Sequence, residues 1–123
     1  GSNVAIGKSN ALITPYQFFD GRRTSDNTAF QATYDATVNG FDGQDILVGN
    51  TDLKSSDCRK ITIHYFFDTI SGVCWLVYTG PDLEENVLAE KGDGSVTVQL
   101  KSGANYIGLY GTDYDGTIKI TIE

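Results

Sequence analysis

Phe30-Gln31-Ala32-Thr33-Tyr34-Asp35-Ala36-Thr37-Val38 alternates without a fault, apolar at the even positions and polar between them. Successive side chains of a strand point to opposite faces, so a period of two gives this stretch one face for a core and one for water. The same rhythm returns at Val96, Val98 and Leu100, and again at Ile118, Ile120 and Ile122. Gln44 to Val48, Ile61 to Phe67, Val73 to Thr79 and Asn105 to Tyr110 are rich in β-branched and aromatic residues, and an earlier strand is expected over Ala11 to Thr14. Turn-forming pairs separate the runs: Asn39-Gly40, Asp42-Gly43, Gly49-Asn50, Ser71-Gly72, Gly80-Pro81, Ser102-Gly103 and Asp115-Gly116. Asp82 to Ala89 has room for one helical turn and no more. Seven or eight strands at roughly ten-residue spacing predict an all-β fold, an antiparallel β-sandwich of jelly-roll type.

The chain has 123 residues, which suits one domain. Gly1-Ser2 resembles the scar of a cleaved tag, leaving residues 3–123 as a single sandwich domain. Sixteen acidic against nine basic residues give a net charge of −7, which excludes a phosphate backbone as partner. No apolar run approaches the roughly 20 residues of a membrane helix, so no membrane span is expected.

Ile61 to Phe67 and Val73 to Thr79 are apolar on both faces, and the reading favours a hairpin turning near Ile70. With Trp75 and Val77 in the core beside Ile63 and Tyr65, the opposite face collects His64, Phe66, Cys74, Leu76 and Tyr78. In that register Phe66 opposes Cys74, and Cys58 lies eight strand residues from Cys74. That is roughly 26 Å at 3.3 Å each, against the roughly 7 Å a disulfide spans, so two free thiols are expected.

From Ile61 onward, Cys74-Trp75-Leu76-Val77-Tyr78-Thr79-Gly80-Pro81, Ser95 to Leu100, Ser102 to Gly111 and Thr117 to Ile122 follow one another in an order that resembles the bacterial pre-peptidase C-terminal domain and related jelly-roll accessory modules. The resemblance covers about half the chain and departs at Cys74, where the family commonly has an aspartate. It implies a non-catalytic, extracellular or cell-surface module attached to a larger protein. It also implies that Ile107 and Leu109 are buried and that Tyr106, Gly108 and Tyr110 face outward.

Catalytic motifs are missing. Gly7-Lys8-Ser9 has the tail of a phosphate loop without its leading glycine, and His64 is the sole histidine. Its mid-strand place suits a packed or hydrogen-bonded ring better than a general base. Asp113-Tyr114-Asp115-Gly116 resembles part of a Ca²⁺ loop, but the required glutamate does not follow; a solvated hairpin turn explains it as well. The remaining lead is aromatic. Tyr78, Tyr106 and Tyr110, with Phe66 and His64 beside them, form a face suited to the apolar side of a sugar ring, hence to a neutral polysaccharide. Alternatively, an N-terminal segment with Tyr16, Phe18 and Phe19 folds over these rings. The function expected is then a binding module, a structural or protein-interaction sandwich, or, third, a small enzyme.

Overall fold

A computed structural model describes residues 14–123 of the chain. Six strands are present: β1 (Phe18–Asp26), β2 (Gln31–Leu53), β3 (Lys60–Thr79), β4 (Glu85–Ala89), β5 (Gly92–Gln99) and β6 (Gly103–Ile122). A single 3₁₀ turn spans Ser55–Asp57, and no α-helix occurs among the described residues. All pairings are antiparallel, in the order β1-β2-β6-β3-β4 with β5 also on β3.

Strands β2, β3 and β6 run for 23, 20 and 20 residues, far beyond the usual five or six or so. Each turns a corner at its middle and continues in a second layer. The first layer holds β1, the first half of β2, the second half of β6, the first half of β3, and β5. The second holds the remaining halves of β2, β6 and β3, then β4. Two facing antiparallel layers joined in this order have the jelly-roll topology. Between them lies one core, to which the first layer gives Tyr34, Ile63 and Ile120 and the second gives Leu76, Ile107 and Leu109.

The corner changes which residues face inward. Ala32, Tyr34, Ala36 and Val38 are buried before it in β2, and Phe41 after it; in β3 Ile61, Ile63 and Phe67 give way to Cys74, Leu76 and Tyr78. In β6 Ile107 and Leu109 give way to Tyr114, Ile118, Ile120 and Ile122. Odd and even exchange in all three strands, because a one-residue slip moves every later side chain to the other face. Each slip contains one residue of left-handed backbone: Gly40 (φ 58°), Gly72 (φ 78°) and Asp113 (φ 46°). The ladder breaks there too, between Val38 and Phe41 and between Thr69 and Val73. Gly72 has a second reason to be glycine, since a Cβ there would stand 2.1 Å from the carbonyl oxygen of Asp113.

Asp115 ties the three bends together. Its carboxylate accepts the backbone N–H of Gly40 at 2.7 Å and the hydroxyl of Ser71 at 3.1 Å, so a β6 side chain holds both β2 and β3. These bonds, the Gly40 amide foremost, keep its pKa below the usual aspartate value.

Several expectations are corrected by this corner. Ile61–Phe67 and Val73–Thr79 are two halves of β3, not a hairpin, and Asn39-Gly40, Ser71-Gly72 and Asp115-Gly116 are bends within strands, not turns between them. Asp113-Tyr114-Asp115-Gly116 is the bend of β6 and not a hairpin turn, and no group of three or more potential metal ligands occurs among the described residues. Trp75 is 42% exposed and stands outside the core, because the slip at Gly72 reverses the face carried over from Ile63. The helical turn expected over Asp82 to Ala89 is instead a tight turn closed by Leu83 N–H to Gly80 O (2.9 Å) and then β4. Gly1-Ser2, Gly7-Lys8-Ser9 and Ala11–Ile13 lie outside the described residues, and Thr14 is in no strand. Cys58 and Cys74 are both free, although the hairpin used to argue it does not exist.

Two outcomes follow from the corner and the core. Because the pKa of Asp115 is depressed by folding, its stabilisation is present above the ordinary aspartate range and is lost as pH falls through the lowered value. Asp115→Ala should therefore melt below the parent chain at neutral pH, and the two melting curves should converge on acidification; a gap independent of pH would contradict this role. Burial pushes the Cys74 thiol up to about 12. A thiol reagent at mildly alkaline pH should label Cys58 in the native protein and reach Cys74 only on unfolding, counted by mass spectrometry.

Candidate functional site

Alternation about Leu76 and Leu109 decides what the second layer shows to solvent. Both are fully buried, so Trp75 and Val77 on β3 and Gly108 and Tyr110 on β6 point away from the core. The register places Trp75 directly beside Tyr110, and Gln44 on Tyr110's other side. The next row reads Ile46, Gly108, Val77, Val87, and the one after it Gly49, Tyr106, Thr79, Glu85. Directly opposed Cβ atoms lie about 5 Å apart, so the side chains of Trp75 and Tyr110 leave the sheet side by side on one face.

This face is apolar and only partly covered. Ile46, Trp75 and Val87 are 39%, 42% and 58% exposed. Val77 is buried yet stands apart from the core cluster, so its cover comes from side chains of this outer face. The ring of Tyr106 lies over Gly49, where a Cβ would come within 2.4 Å of a ring carbon. Glycine at 49 is what lets the Tyr106 ring lie down on the sheet, and at 108 a Cβ would come within 3.0 Å of Ile46 Cδ1.

Two carboxylates anchor the polar tips of the rings. The Trp75 indole N–H donates to Glu90 Oε2 at 2.9 Å, and the Tyr110 hydroxyl donates to Glu85 Oε2 at 2.9 Å. Partial burial and then the Glu85 contact raise the Tyr110 pKa, which keeps the phenol a donor. A ring fixed at its polar end presents its face at little entropic cost.

The five residues expected to share a site are divided among three places. Tyr106 and Tyr110 lie on the face just described. Tyr78 points into the core, 5% exposed, because it follows the corner slip. Its hydroxyl donates to Asn105 Oδ1 at 2.5 Å, and that buried amide also bonds the backbone of Lys101 and Gly103. His64 and Phe66 lie on the outer face of the first layer, away from the tyrosines: His64 meets Glu123 at 2.8 Å, and Lys119 Nζ sits 5.6 Å from the Phe66 ring centre. The face therefore gains Trp75, Ile46, Glu85 and Glu90, which the sequence reading left out. Trp75 carried the right chemical signal and was assigned to the wrong side of β3.

The N-terminal aromatics do not cover this face. Tyr16 stacks on Phe41 (4.6 Å between centroids) and Phe19 meets Tyr34 edge-on (5.8 Å), on the side where β1 meets the second layer. There Arg23 grips Asp45 through both oxygens (2.6 and 2.8 Å), while the Tyr16 hydroxyl donates to Asp45 at 2.5 Å and meets Tyr34 at 2.8 Å. Burial above all pushes both phenols up, so they stay neutral, and the Asp45 contact holds Arg23 charged. Both Asp45 oxygens and both phenols are bonded within the cluster, which makes it a latch between layers.

No protein-family model, curated protein or solved structure matches the chain.

The exposure of Trp75 has a direct readout, as it is the only tryptophan. Acrylamide should quench native fluorescence substantially, and Trp75→Phe should leave the melting temperature nearly unchanged. Strong protection from quenching would place the indole in the core after all.

Proposed function

We propose that this chain is a non-catalytic binding module whose second-layer face, Trp75 with Tyr110 and Tyr106, holds a neutral or weakly charged polysaccharide. The observation that carries the reading is the adjacent pair Trp75 and Tyr110, turned to solvent with their polar tips tied to Glu90 and Glu85. Sugar rings have one apolar face of C–H groups, which packs flat on an aromatic ring, and hydroxyls that reach polar neighbours at its rim. Tyr106 and Tyr110 are four residues apart on one strand, about 13 Å at 3.3 Å per residue, enough for a chain and not only a monosaccharide. The resemblance to accessory domains of secreted bacterial enzymes supports an extracellular or cell-surface setting as part of a larger protein.

A second reading, a structural or protein-interaction sandwich without a glycan ligand, is favoured by β1. This edge strand is exposed at every position but Phe19, and among the described residues no strand pairs with its outer side.

Each stacked ring should contribute about 1 kcal/mol, or roughly five-fold in affinity. Trp75→Ala and Tyr110→Ala should each weaken binding to soluble β-glucan oligosaccharides by about that factor in calorimetry, with circular dichroism unchanged. Unaltered affinity in both variants would remove the face from the site. Absence of any glycan binding by the intact fold would put the β1-edge reading first.

A further inference from the structure

We propose that among glycans this face prefers a polymer of amino sugars in protonated form over a neutral one, an inference that rests on the glycan-binding reading. Glu85 and Glu90 each give one oxygen to an aromatic tip, and both residues are exposed. Neither has a lysine or arginine within ion-pair distance among the described residues, where the ion pairs are Arg23–Asp45 and His64–Glu123. Glu84 stands next to Glu85, and the nearest basic residue in sequence, Lys91, follows Glu90 without pairing to it. The rim along β4 is thus anionic, with none of its carboxylates in an ion pair among the described residues.

A neutral sugar lying on Trp75 and Tyr110 would shield these carboxylates from water and return no charge to them. An ammonium group on the same ring answers both features at once. It is attracted by the aromatic faces, and it meets the carboxylates at their edge. The net charge of −7 adds steering, drawing a polycation toward the protein and repelling polyanions. A lysine-rich peptide has the charge but no flat C–H face to cover adjacent rings, so the amino-sugar chain is the better match to this surface.

The test compares hexamers of β-1,4-linked glucosamine, N-acetylglucosamine and glucose by calorimetry at slightly acidic pH. Two exposed charge contacts give an expected preference of roughly five-fold for the glucosamine hexamer over the glucose hexamer. That preference should vanish in about 1 M salt, where the screening length falls to about 3 Å. It should vanish also in the Glu85→Gln/Glu90→Gln double variant, whose amides can still accept from the ring tips, the readout being the ratio of the two affinities. Equal affinity for the three hexamers would overturn the proposal and leave the neutral-glycan reading standing. Competition by oligolysine as strong as that of the glucosamine hexamer would overturn it in favour of a plain cation site. No binding of any hexamer by the folded protein would remove both readings together.

Discussion

The carboxylate of Asp115 touches two strands that are not its own, and the sandwich depends on what it holds. Three strands of 20 residues or more must bend at one level, or the two layers cannot face each other. A bend in one strand alone would shear its ladder against its neighbours. Here each strand slips by one residue at Gly40, Gly72 or Asp113, and the Gly40 amide and Ser71 hydroxyl converge on the same side chain. Packing then carries the rest, because the inward positions of β3 and β6 in the second layer are set by the register that leaves the corner.

That register is also what makes the candidate site. Were β3 to pass the corner without a slip, Cys74, Leu76 and Tyr78 would point outward and Trp75 would be buried. With the slip, the small thiol and Leu76 enter the core while the indole emerges next to Tyr110. β6 slips in the same sense, so the neighbours stay in register with each other. One backbone device therefore sets the core and the exposed face together, and neither can be altered alone at this level.

Much of the fold was legible, for local reasons. Phe30 to Val38, Val96 to Leu100 and Ile118 to Ile122 alternate because each half-strand has one wet face, and those inward residues are the ones that bury. The outward orientation of Tyr106 and Tyr110 followed from Ile107 and Leu109 in the same way. The corner was not legible. A glycine with positive φ serves a hairpin turn and a bend equally well, and only the partner strands distinguish Ser71-Gly72 in mid-strand from a chain reversal. Reading it as a reversal kept Ile63 and Trp75 on one face, which misplaced Trp75 and Tyr78 and gathered His64 and Phe66 to a face they do not share with the tyrosines. The roles of Glu85 and Glu90 needed tertiary contacts, since β4 had no alternation strong enough to announce a strand.

Strand β6 is the last of the six described strands in sequence and the most central in space, flanked by β2 and β3 in both layers. Its pairing of Ala32 with Ile122 joins residues ninety positions apart. Neither layer can therefore assemble fully before β6 is available, because the slot between β2 and β3 stays open until β6 fills it. Until then those two long, apolar strands expose unpaired edges, and folding waits on a distant closure that topologies of this kind make slowly. The sixth strand in sequence is the one that joins β1 and β2 to the rest of the sandwich.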